Sequence, residues 1–241
     1  RPATDLMTLP PAPLRVMHEA GREALECARS LEASGSNVVA EILKGQGTFT
    51  EWRHYPAGDV VDRARHAQYF YHAHPHPLAA DEHGHFHAFL RGTGMPRGVR
   101  PAPLPGLPDP LPDNIALAHI IAIAMNDHAE PIRLFTTNRW VTGETWYRAQ
   151  DVSAMIDRFS LLAAPVATSR WLTAMVRLFA PEICALLWVR DAALESARAH
   201  RPLVEALEAH ELEVLSFCDI SLQERMAELA RLLGPSQAAE S

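Results

Sequence analysis

Two stretches carry most of the information in this chain: Gln68-Tyr69-Phe70-Tyr71-His72-Ala73-His74 and, beyond the loop Pro75–Glu82, His83-Gly84-His85-Phe86-His87-Ala88-Phe89-Leu90-Arg91. Both are rich in aromatic residues and bounded by turn formers, the pattern of β-strands. Residues two apart on a strand point to the same face, so His72 and His74 are neighbours, as are His83, His85 and His87. A hairpin that sets His72 opposite His85 also sets His74 opposite His83 and Phe70 opposite His87. All the strand histidines then share one face, with Phe70 and Phe89 as an apolar floor. Opposed Cβ atoms lie about 4.5–5.5 Å apart, close enough for several imidazoles to reach one ion. A slip of one residue would divide them between faces.

Eight of the thirteen histidines, His54, His66, His72, His74, His76, His83, His85 and His87, fall between Gln46 and Arg100. Neutral imidazole is a common ligand of zinc, copper, nickel and iron, and several imidazoles crowded together without an ion repel one another as they protonate. Metal binding therefore accounts for the cluster economically; solvated loop histidines, as His76 between Pro75 and Pro77 reads, and a pH sensor are the alternatives. The expected ligands are His72, His74, His85 and His87. His83, His119, His54, Glu82 and Glu144 are expected to orient those ligands or to replace one of them, and Glu51, Asp59 and Asp62 are further carboxylates near the first histidine strand. His119 sits on the apolar run Leu117-Ala118-His119-Ile120-Ile121, where a buried ring needs a partner. Asn138, Arg139 and Trp140 offer an amide, a planar fork and an aromatic face to a substrate.

Outward from this hairpin, Ala116 to Met125 and Ile132 to Val141 read as two more strands joined by the polar turn Asn126–Pro131. Glu51 to Asp62 reads as a loop. Seven prolines between Met95 and Asp113 predict an extended crossover or a lid. Apolar residues at spacings of three and four predict a helix from Leu14 to Leu31, with Pro10, Pro11 and Pro13 barring an earlier start, and a short helix follows at Asn37–Leu43. Helices are also predicted near Ser153–Leu162, Ser169–Phe179, Glu182–His200, Leu203–Phe217 and Leu222–Leu233. Ser221 and Glu224 form a capping box for the last of these, and Gly234-Pro235 stops it. The expected fold is α+β, a single domain over 1–241. It comprises an N-terminal helical segment (1–46), a central antiparallel sheet of at least four strands (47–146) and a C-terminal helical layer (151–234).

Composition narrows the function. The chain has 241 residues, 48% of them hydrophobic, and 22 basic against 29 acidic residues give a net charge of −7, which supplies no basic surface for nucleic acid. The residues from Asp191 onward, ten acidic and four basic, read as a solvated face. The apolar runs are too short for a membrane span and the first thirty residues lack a signal-peptide core. Three scattered cysteines argue against a disulfide framework, so a reducing cytoplasm is the expected compartment. No Walker loop, GxGxxG turn, GxSxG elbow or zinc-ribbon CxxC pair is present.

The strings Glu82-His83-Gly84-His85-Phe86-His87-Ala88-Phe89-Leu90-Arg91 and Thr136-Thr137-Asn138-Arg139-Trp140-Val141-Thr142-Gly143-Glu144 resemble an uncharacterised bacterial family, a domain of unknown function, over about Trp52 to Trp146. That resemblance implies no activity. His85-x-His87 is similar to the first motif of the cupins, but no glutamate follows at the expected distance, and their fold is not carried over. The functional expectation is a metalloprotein whose iron or copper ion supports an oxidoreductase or oxygenase acting on a small organic molecule. Tyr69, Tyr71 and Trp140 are expected to line its pocket. A zinc hydrolase or lyase with Glu82 or Glu144 as general base is the first alternative, and a non-enzymatic metal- or haem-binding regulatory module the second.

Overall fold

A computed structural model describes residues 5–75, 80–104, 112 and 115–234; His76 and most of the proline-rich crossover lie outside them. The fold is α+β, built on one six-stranded antiparallel sheet. Its strands are β1 (Tyr55–Asp62), β2 (Ala67–His72), β3 (Glu82–Arg91), β4 (Leu117–Asn126), β5 (Pro131–Thr137) and β6 (Val214–Asp219). They lie side by side in chain order.

The helices are α1 (Pro11–Ala33), α2 (Val38–Leu43), α3 (Arg139–Thr142), α4 (Ala149–Met155), α5 (Val166–Leu178), α6 (Ala180–Arg198), α7 (Leu203–Leu207) and α8 (Leu222–Leu233). Contrary to expectation, α1 begins at Pro11. Its prolines occupy the first turn, where no intrahelical N–H is needed. Asn37 caps α2 through Oδ1, and Ser221 Oγ accepts from the Glu224 N–H to cap α8.

Four local readings are corrected. The stretch before the first histidine strand is the edge strand β1, not a loop. The strand expected over Ile132–Val141 runs from Pro131 and stops at Thr137, where the Asn138 side chain caps the short helix α3. The helix expected over Ser153–Leu162 is displaced to Ala149–Met155, followed by a 3-10 turn at Ile156–Arg158. The helix expected over Leu203–Phe217 ends at Leu207, and Val214–Asp219 pairs along β5 with Arg133 opposite Asp219. The exposed edge of β5 satisfies the backbone of β6, which outweighs the helical preference of the preceding Glu, Ala and Leu residues.

One face of the sheet carries Tyr69, Tyr71, Phe86, Ile121, Ile123 and Leu134 and packs against the helices in a common core. There Trp171 of α5 lies 5.8 Å from the Phe86 ring. Tyr69 and Tyr71, expected near the metal, are thus on the helical face instead, as strand alternation from Phe70 and His72 requires. The opposite face bears the histidines, with Ala122, Ala124 and Phe135 as a small separate core. Asp62 ties the β1–β2 turn to the segment before α5: Oδ1 accepts from the N–H groups of Ala64 and Arg65, and Oδ2 from those of Leu162 and Ala163. Among the described residues no single helix is long and apolar enough to cross a membrane.

Two irregularities decide which side chains share the histidine face. Between Glu82 and Gly84 the β3–β4 register shifts by one residue, and a second shift falls between Ala88 and Phe89, opposite His119 and Ile121. A bulge of this kind reverses the alternation on either side of it. The first moves His83 to the helical face, where it stacks on Phe49 and bonds the Tyr71 hydroxyl, and brings Glu82 across to His85. The second brings His119 over from the face of Ile121 to meet His87.

Gly84 makes the first of these junctions tight: a Cβ there would lie 2.6 Å from the His72 carbonyl oxygen and 2.8 Å from the Tyr71 hydroxyl. Gly84→Ala should therefore force the β2–β3 pair apart and destabilise the fold by about 1–3 kcal/mol, the usual range for overpacking. A urea midpoint equal to that of the native chain would contradict this packing.

Candidate metal centre

The β2–β3 register is the one anticipated, with His72 opposite His85 and Phe70 opposite His87. β2 ends at His72, so His74 reaches the cluster from the segment beyond the strand rather than from a pair with His83. The Nε2 atoms of His72 and His85 are 2.7 Å apart, and His87 Nε2 lies 3.1 Å from His72 Nε2. Ligand nitrogens of His72, His74 and His85 all fall within 4.8 Å of one another. Metal–nitrogen bonds of about 2.0–2.1 Å separate neighbouring ligands by about 2.9 Å in an octahedron and about 3.3 Å in a tetrahedron. The buried cluster of His72, His74 and His85 could therefore hold a metal ion.

The proton positions follow from the outer partners. A neutral imidazole carries one N–H, and donating it outward leaves the other nitrogen with a free lone pair. His85 Nδ1 donates to Glu82 Oε1 at 2.6 Å and His74 Nδ1 to Glu213 Oε1 at 3.0 Å, so both present Nε2 inward as an acceptor. His74 Nε2 is buried and makes no hydrogen bond among the described residues. His87 Nδ1 lies 3.0 Å from His119 Nε2, so one of these two nitrogens carries the shared proton. With His87 Nδ1 as the donor to His119 Nε2, the His87 Nε2 lone pair faces His72 Nε2, 3.1 Å away.

Aromatic rings close the surroundings. Phe70 stacks on Phe89 at 5.6 Å, Phe135 meets the His85 ring edge-on at 5.0 Å, and His54 stacks on Phe70 at 3.6 Å. Trp52 covers His74 at 4.4 Å and is itself 62% exposed. Its φ of 66° is a left-handed conformation uncommon for a bulky residue.

The remaining expected residues sit as follows. Glu144 is buried and touches the backbone rather than a ring, Oε2 accepting from the His119 backbone N–H at 2.7 Å. His54 Nδ1 pairs with Asp59, and Asp62 belongs to the clamp described above; Glu51 is exposed. Asn138 spends its side chain on the Arg139 N–H and the Ala206 carbonyl, and Arg139 pairs with Glu208. Trp140 stacks on His210 at 4.3 Å with its buried Nε1 unpartnered among the described residues. Glu213, which orients His74, was not anticipated. It arrives just before β6, and no local feature of the sequence marks it.

Against this geometry the comparisons add membership but no chemistry. The chain belongs to the family described as Domain of unknown function (DUF6969), whose profile matches residues 18–220, a span that holds all six strands. No curated protein and no solved structure matches it.

Burial governs the charges. Loss of water, reinforced by the neighbouring rings of His85 and His74, pushes His72 down to about 2; burial also takes His87 well below the ordinary histidine value. Burial and then the Arg190 charge bring His119 to about 3, whereas burial raises Glu144 to about 7 against the pull of Arg190. In metal-free protein these three rings bind protons only on unfolding, so each favours the folded state above pH 6.5 and loses that contribution as pH falls toward its folded value. Glu144 acts oppositely, holding a proton in the fold that the unfolded chain releases above about pH 4.5. Three groups outweigh one, so chelator-treated protein should lose stability steadily from pH 6.5 to 4.5 and more steeply below. Urea titrations across this range that showed a flat or rising stability on acidification would refute the assignment of neutral rings.

Proposed function

We propose that this protein is a metalloenzyme in which His72, His74 and His85, joined by His87, hold an iron or copper ion that acts with oxygen on a small organic molecule. The observation that carries the reading is the pair of carboxylates, Glu82 and Glu213, that take the Nδ1 protons of His85 and His74. They leave both Nε2 lone pairs aimed at one point, the arrangement by which proteins orient imidazole ligands. Neutral imidazoles without thiolate suit redox-active iron and copper, and such ions supply electron transfer to and from oxygen. The residues of the chain would supply the rest. Trp52 and His74 lie on the side open to solvent and would receive the substrate. Trp140 has an indole N–H without a partner among the described residues, whereas Asn138 and Arg139 are held by Ala206 and Glu208 and would shape the surroundings through those contacts. Phe70, Phe89 and Phe135 would exclude water from the far side of the ion.

The direct measurement is elemental analysis by inductively coupled plasma mass spectrometry on untagged protein purified without added metal, together with its visible spectrum. Iron or copper near one equivalent is the expected result. Zinc would move the reading to a hydrolase or lyase, and no metal with no uptake on titration would overturn it. His72→Ala and His85→Ala should each abolish retention while preserving the far-ultraviolet circular dichroism. Glu213→Gln, at a partly exposed position, should leave stability unchanged and weaken metal affinity about 10–100-fold, the usual effect of losing an orienting partner. Equal affinity in that variant would remove Glu213 from the site.

A further inference from the structure

The far end of the β1–β2–β3 unit holds a cavity of about 480 Å³ with a different chemistry. Arg65, Arg97 and Arg158 line it together with His66, Thr93 and Ser160. The β2 strand separates it from the histidine cluster by about 17 Å, five residues at about 3.3 Å each. Arg65 lies 3.8 Å from Asp62 Oδ2, but among the described residues neither Arg97 nor Arg158 has a carboxylate partner. Three guanidinium groups around one cavity are notable in a chain of net charge −7.

The walls are fixed rather than incidental. Asp62 accepts four backbone N–H groups, two from the loop that carries Arg65 and two from the segment that follows Arg158 and Ser160, so one carboxylate holds the two sides together. His66 adopts φ 58°, a costly conformation for a residue with a Cβ, and is pinned there by the Arg91 N–H on its carbonyl at 2.7 Å and by Thr93 Oγ1 at its Nδ1 at 2.9 Å. A Cβ on Gly94 would fall 2.7 Å from His66 Cβ, so glycine is required where the third wall turns past the ring.

We propose that this cavity binds the phosphate group of a small organic molecule. Guanidinium forks match phosphate oxygens in pairs, and three forks with two hydroxyls supply more donors than the two oxygens of a carboxylate accept. The volume lies within the range of small-molecule sites, about 300–1,000 Å³, and Met95 provides an apolar wall for the organic part. The site is independent of the metal reading.

The test uses phenyl phosphate and inorganic phosphate, weak chelators, at millimolar concentration and constant ionic strength, with thermal unfolding and calorimetry as readouts. Both should raise the melting temperature of the native chain. Arg97→Ala and Arg158→Ala, at exposed positions with no carboxylate partner among the described residues, should each weaken phenyl phosphate binding about tenfold or more. Arg63→Ala, outside the cavity, should bind normally. His72→Ala should also retain the response, which separates this site from the metal centre. No shift in the native chain, an equal shift in Arg97→Ala and Arg158→Ala, or an equal response to succinate would overturn the proposal.

Discussion

The pairing of His72 with His85 across β2 and β3 is the contact on which the arrangement depends. It brings two Nε2 atoms to 2.7 Å in a place from which water is excluded. Buried imidazoles in such contact cannot both be charged, and neutral ones still require acceptors for their N–H groups. The surrounding structure meets that requirement from three directions: Glu82 on the same strand, Glu213 ahead of β6, and His119 on β4 acting through His87. The two carboxylates, being acceptors only, turn the His85 and His74 lone pairs inward. The same hydrogen bonds that make the cluster tolerable in the fold make it a ligand set.

The two faces of the sheet divide the work. On the helical face, Tyr69, Tyr71 and Phe86 are buried against α5, and this core holds the strands rigid. A rigid sheet can then hold groups on its other face in position for binding. The β-bulges are where the two roles are reconciled. One residue inserted in each register moves His83 to the helical face, beside Phe49, and brings Glu82 and His119 to the cluster. The ends of the β2–β3 hairpin also differ in chemistry, with imidazoles clustered at one end and three guanidinium groups around a cavity at the other.

How much of this was legible follows from the range of the interactions. The strand pairing could be read because the aromatic and histidine spacing admits one register that keeps Phe70 and His87 together. The caps of α2 and α8 are local hydrogen bonds written in Asn37 and in Ser221 with Glu224. The displacement of α4 and the strand β6 were hidden, because Val214–Asp219 has too few residues to declare itself without the β5 edge beside it. The faces of His83, Glu82 and His119 were misassigned or left open for one reason: strict alternation holds only until a bulge intervenes, and a bulge is a property of two strands.

The chain alone therefore specified the α+β class, the hairpin, the concentration of imidazoles and the caps of α2 and α8, all of which rest on periodicity or on contacts a few residues long. The folded molecule decided the coordination geometry. Glu213 meets His74 from 139 residues away, and His119 meets His87 from 32. Which carboxylate receives which imidazole proton depends on distances of about 3 Å between segments whose approach is set by packing, and no local pattern encodes such an approach.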